Sequence, residues 1–280
     1  MTDIYYPPKE LVTTDLVVTN VIIDRPWVPD VKHCIDIVWD PLPGDDCLGY
    51  NIYRSTEDVD NNYVQLNSTL LDITFYRDAT ATYQANTEYY YRITFVNAIG
   101  VESDVDETPT NRLRSELDNR GLINMGRVIE EILRRHTLIL KSDGVDCDVL
   151  VRKMAGVKCT QCYNDDLDLT TEGTACRKCF GTSFIGGYSR IPDVRVRFHN
   201  NAIMADFSSY GITQKAAPKS WILRYPPLHN GDIIYKKYSS ERYIISNVNR
   251  VLTQDRMTRQ EFDANLLPSG DNRYFILPTG

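Results

Sequence analysis

Cys159, Cys162, Cys176 and Cys179 form two Cys-x-x-Cys pairs with thirteen residues between them. A Cys-x-x-Cys turn sets two thiolates on one side of a tight loop, and two such knuckles facing each other complete a tetrahedron of sulfurs around one ion. Zinc fits that geometry. Iron in a rubredoxin-like site and a pair of disulfides are the alternatives. An all-sulfur shell leaves no open position for water, so the expected role of the metal is structural rather than hydrolytic. The segment between the pairs, YNDDLDLTTEGTA, has almost no apolar residues and must take its order from the metal. Beyond it, Phe180 to Tyr188 supplies glycines for close turns and aromatic residues to cover the site.

No other group of residues has the spacing of a reaction centre. His33, His136, His199 and His229 are scattered without metal or nucleophile spacing, and Asp165, Asp166 and Asp168 lack the glycine and terminal glutamate of a calcium loop. Neither a Gly-x-Ser-x-Gly elbow, a His-Glu-x-x-His pair nor a phosphate-binding glycine loop is present, so the chain is expected not to be an enzyme. Arg195 and Arg197, alternating with Val194 and Val196, together with Arg224, Lys236 and Lys237, read either as a basic face toward DNA or, more simply, as a solvated strand face. The formal net charge of -7 argues against a protein whose main task is wrapping phosphate.

The elements that must position the cysteines follow from length and periodicity. A chain of 280 residues is long enough for two or three domains. No run approaches the roughly 18 apolar residues of a membrane span. The start, MTDIYYPPKELVTT, lacks a basic region followed by an apolar core, so the chain is expected to be unprocessed and kept reducing, where cysteines bind metal. Cys34, Cys47 and Cys147 then read as small buried hydrophobes. Pro7, Pro8, Pro26 and Pro29 make residues 1–29 an extended arm. Residues 30–108 alternate in short runs, with Tyr89, Tyr91, Ile93 and Phe95 on one side of a strand and Glu88, Tyr90, Arg92 and Thr94 on the other. Residues 109–137 hold a linker and one amphipathic helix, starting near Asn124, with Val128, Ile129, Ile132 and Leu133 on its apolar face. Residues 138–190 read as a hairpin turning at Ser142 to Gly144, followed by the cysteine clip. Residues 191–280 read as a C-terminal β domain, a small barrel or sandwich. The expected class is mainly β, with a sandwich core separate from that of the clip.

Trp39, the strand Gly49 to Arg54, and Thr87 to Ile93 leading into Asn97 to Ser103 together resemble a fibronectin type III domain, at residues 30–108. The tryptophan, the tyrosine-corner candidate Tyr89 and the Asn-x-x-Gly turn come in that family's order. The resemblance implies a fold and a docking role, not a reaction. From about residue 128 to 195, EEILRRHTLILKSDGVDCDVLVRKMAGVKCTQC followed by CRKCFGTSFIGGY resembles zinc-ribbon-containing structural proteins of tailed bacteriophage virions. The run from Asn230 to Val248 is similar to the small barrels of head-closure and tail-end proteins. What this implies is a ring-forming neck protein of the virion, a head-to-tail connector or collar with a structural zinc. It would be a homo-oligomer of twelve-fold or six-fold symmetry, synthesised in the host cytoplasm. Its neighbours would be portal, adaptor or tail-end proteins, with DNA in the lumen and no membrane. A baseplate or tail position is the alternative. Other classes are a carbohydrate-active enzyme accessory and a zinc-ribbon nucleic-acid binder.

Overall fold

The computed structural model describes residues 18–19, 34–41, 47–57, 62–78, 80, 88–103, 111–114, 123–164, 169–170, 175–199, 205–208, 211–214, 219–253 and 256–276. The protein is mainly β: antiparallel sheets, and one α-helix among the described residues. None of its described helix is long and apolar enough to cross a membrane. Two compact units divide the chain, one of Met1–Val128 with Lys153–Ser189, the other of Ile129–Arg152 with Arg190–Gly280.

In the first unit the strands are β1 (Val18–Thr19), β2 (Cys34–Val38), β3 (Cys47–Ser55), β4 (Val64–Gln65), β5 (Phe75–Asp78), β6 (Glu88–Asn97) and β7 (Asn111–Arg114). They make a three-stranded sheet in the order β1, β2, β5 and a four-stranded sheet in the order β4, β3, β6, β7. Alternation sends Ile37 and Trp39 from one sheet, and Tyr50, Ile52, Tyr89, Tyr91 and Ile93 from the other, into one core. Trp39 meets the Tyr50 ring edge-on at 5.5 Å. Tyr89 is buried, as expected, with Arg54 over its ring. It is Tyr91 whose hydroxyl donates to a buried carboxylate, Asp78, at 2.8 Å. Burial opposes ionisation of Asp78, but hydrogen bonds from Thr80, Tyr91 and Arg54 hold it below the usual carboxylate range.

Three features of this unit depart from the reading of its sequence. The pairing of β1 with β2 puts part of the N-terminal arm on the sandwich edge, and β7 carries the sandwich past residue 108. The outward side of β6 is not solvated either. Arg92 lies over the Tyr63 ring at 4.0 Å, while Thr94 donates to Glu102, which also accepts from Asn51 and Tyr53.

Next come α1 (Ile123–Asp143), β8 (Val145–Arg152), β9 (Tyr163–Asn164), β10 (Leu169–Thr170), β11 (Tyr188–Val196), β12 (Ala205–Ser208), β13 (Gly211–Gln214), β14 (Ser220–Leu223), β15 (Ile233–Lys236), β16 (Arg242–Thr253) and β17 (Arg256–Leu266). The expected strand at Leu138 to Leu140 is helix. Nothing in Thr137–Lys141 breaks the helix, and Leu140 continues its buried face one heptad after Leu133, while Leu138 and Ile139 are exposed. Gly144 ends it: its N–H donates to the Leu140 carbonyl at 2.9 Å, and a Cβ there would lie 2.3 Å from that oxygen.

The main sheet of the second unit runs in the order β11, β8, β15, β16, β17, β14. Cys147 to Val151 of β8 are all buried, so this interior strand is covered on both faces rather than one. Among the described residues no continuous ladder closes this sheet into a barrel. Its two edges meet at one bridge, where Arg197 and Trp221 exchange N–H···O bonds of 3.0 Å. Within the C-terminal segment expected to be β, Asn272–Phe275 is a 3-10 turn.

Gln260 is fully buried in β17. Its Oε1 accepts from the Leu228 N–H at 2.8 Å, and its Nε2 reaches the carbonyls of Leu223, Arg224 and Pro226 at 3.1, 3.0 and 2.8 Å. Gln260→Met keeps the volume and removes the amide. A buried backbone N–H left unpaired costs about 1–3 kcal/mol, and that of Leu228 loses its acceptor, so a loss of about 1–3 kcal/mol is expected by denaturant titration. A loss under about 1 kcal/mol would mean that water replaces the amide.

Candidate metal centre

The four clip cysteines converge, each at most 2% exposed. Their sulfurs lie within 4.8 Å of one another, with Cys159 to Cys176 at 3.8 Å, Cys159 to Cys162 at 3.6 Å and Cys162 to Cys179 at 3.2 Å. A disulfide needs about 2.05 Å, and these thiols are free. Four thiolates at about 2.3 Å from a central ion stand about 3.8 Å apart, so the cluster is the size of a tetrahedral site. The residues present fit a tetrahedral metal ion.

Local backbone geometry builds each knuckle. In the first, the Tyr163 N–H donates to the Cys159 carbonyl at 3.1 Å; in the second, the Phe180 N–H donates to the Cys176 carbonyl at 2.9 Å. Phe180 and Gly181 both take positive φ, turning the chain back over the sulfurs. Gly187, at φ +68°, allows the return. A Cβ there would sit 2.7 Å from the Cys179 carbonyl oxygen and 2.9 Å from the Phe180 ring. The Cys159 N–H donates to the Ser183 carbonyl at 2.8 Å, joining the knuckles.

Burial pushes the Cys162 and Cys179 thiols up from their ordinary range. Burial acts the same way on Cys176, but backbone N–H groups of Cys179 and Lys178 hold it at about 7. Four anions in so small a volume need a multivalent cation among them. The cover over the sulfurs is Tyr163, not the expected aromatics of Phe180 to Tyr188. Lys158 lies 4.2 Å above the Tyr163 ring and donates to its hydroxyl at 2.9 Å. Nothing in the spacing of Lys158 and Tyr163 announced this.

No family model matches this chain, and no curated protein matches it. Among solved structures it is similar to an Fn3-like protein from Clostridium thermocellum, 27% identical over 29% of this chain and 75% of that one, TM-score 0.25. It is also similar to the pectate lyase Pel3 from Pectobacterium carotovorum, 12% identical over 32% of this chain and 24% of that one, TM-score 0.24. At these scores neither likeness says what the chain does.

The remaining candidates fall out differently. Cys47 and Cys147 are buried as expected, and burial pushes the Cys147 thiol up to about 12. The Cys34 side chain, His33, and Asp165, Asp166 and Asp168 lie outside the described residues. His136 packs on Trp221, with its Nε2 3.3 Å from Arg259. His229 donates its backbone N–H to the buried Asp232.

The basic face is not a free cationic stripe. Arg195 pairs with Asp146 at 2.8 Å and donates to the Leu140 and Lys141 carbonyls, capping the C-terminus of α1. Arg197 pairs with Asp143 at 2.6 Å, Lys236 with Glu241 at 3.0 Å, and Lys237 with Asp148 and Asp193. The carboxylates paired with Arg195 and Arg197 are distant from them in sequence, which is why the one-dimensional pattern of that strand showed only positive charge.

Proposed function

We propose that this chain is a structural component of a tailed bacteriophage virion, a ring-forming protein of the neck, with zinc held by Cys159, Cys162, Cys176 and Cys179. The observation that carries the reading is the buried four-sulfur cluster in a body of short antiparallel sheets: when a metal fills it, every ligand position is taken and its contribution is mechanical. Zinc is preferred to iron because a d¹⁰ ion brings no redox chemistry to a site whose service is stability. A neck protein must match a rotational ring through heterologous contacts, each copy presenting two different faces. Exposed apolar residues such as Ile99, Tyr238 and Phe275 are available for such contacts.

Reconstruction of the virion is the test. The chain is expected as a twelve-fold or six-fold ring on the head-tail axis, between portal or adaptor and tail-end proteins, with DNA in its lumen. A monomer away from that axis would overturn the neck assignment, and a baseplate location would favour the tail reading. Glycan binding by the purified protein would favour a carbohydrate-active accessory. The carboxylates paired with Arg195, Arg197, Lys236 and Lys237 weigh against a nucleic-acid binder.

A further inference from the structure

We propose that the cysteine clip is a latch on the N-terminal sandwich, so that metal occupancy sets the stability of a sheet pair that contains none of the ligands. This rests on reading the four cysteines as a metal site.

The link is the segment Lys153 to Gly156. Ala155 is fully buried in the same core cluster as Ile37, Trp39, Tyr50, Ile52 and Tyr91, although more than fifty residues separate it from the nearest of them in sequence. Its small side chain is a plug contributed from outside the sandwich's own strands. Backbone bonds hold it there. The Met154 and Ala155 N–H groups donate to the Asp72 carbonyl at 2.8 and 3.2 Å, and the Gly156 N–H donates to the Cys47 carbonyl at 3.0 Å.

Asp72 also grips both ends of the clip. Its carboxylate pairs with Lys153 at 2.9 Å and accepts from the Ser189 hydroxyl at 2.5 Å, while the Lys153 N–H donates to the Gly187 carbonyl at 3.1 Å. The clip is therefore a loop with its two feet on one sandwich turn, closed three residues beyond Gly156 by Cys159. With metal in place the loop is short and stiff, and Ala155 is held at its socket. Without it, about thirty residues between the feet regain conformational freedom. The plug then competes against that entropy with the backbone hydrogen bonds of Met154, Ala155 and Gly156 and the Asp72 contacts of Lys153 and Ser189.

Hydrogen exchange on the full-length protein tests the coupling. Protein purified under reducing conditions is compared with the same sample stripped by a chelator and with the stripped sample reloaded with zinc alone, metal content being measured in each. The amides of β3 and β6 are expected to lose tenfold or more in protection on stripping and to regain it on reloading, with β16 and β17 amides as the internal reference. The loss is expected again in Cys176→Ser, which needs no chelator. Metal present, then removed, with β3 and β6 protection unchanged would overturn the latch and leave the metal site standing. Purified protein without metal would overturn both.

Discussion

Cys176→Ser is expected to take the metal content from about one ion per chain to none and to leave residues 157 to 186 without protected amides. A serine hydroxyl is a hard, protonated ligand and does not replace a thiolate in an all-sulfur shell. The polar residues between the knuckles offer little to bury in exchange. Structural zinc sites carry roughly 10 kcal/mol or more of apparent free energy, so the loss should exceed any other single substitution in the chain. Elemental analysis with amide exchange reads both effects. Cys147→Ser is the control: Cys147 is also fully buried, but lies in β8 and is not one of the four converging sulfurs, and its replacement should leave the metal content unchanged. Retention of a full equivalent of metal by Cys176→Ser would remove this residue from the ligand set.

Trp39→Ala is expected to cost about 3–5 kcal/mol in the sandwich, the range for deleting a large buried aromatic side chain. Trp39 is 4% exposed, and its ring packs on Tyr50 from the facing sheet, so the cavity would open between the two sheets rather than at an edge. Neighbouring β-sheet side chains collapse poorly into such a gap because their strands are tied by ladders on both sides. Chemical denaturation followed through the tyrosine-rich β3 and β6 by NMR would measure it. A cost below about 1 kcal/mol would show that Trp39 is not a core anchor.

Patterns local to the chain were readable from the residues alone. Two Cys-x-x-Cys knuckles specified the cluster, because four ligands with short internal spacing encode most of their own geometry. Alternation over Tyr89 to Phe95 specified the strand β6, though not that Arg92 and Thr94 on its other side are covered as well. What failed locally were short ambiguous runs. Leu138 and Leu140 stand at strand spacing, yet lie in the helix, since a three-residue apolar run carries no period long enough to separate the two.

Tertiary structure alone decided the long-range pairings. Arg195 and Arg197 became a helix cap and an ion pair because β11 lies beside β8 and brings them to the end of α1. The sheet of the second unit stayed open except at Arg197 and Trp221, a matter of how six strands meet rather than of any one strand's composition. Ala155, as ordinary as any residue in the chain, sits in the sandwich core because the Asp72 turn holds its backbone there. Ligand spacing and periodicity are written between near neighbours, whereas the partner of a buried charge or a core plug depends on which distant strands the closed chain brings together.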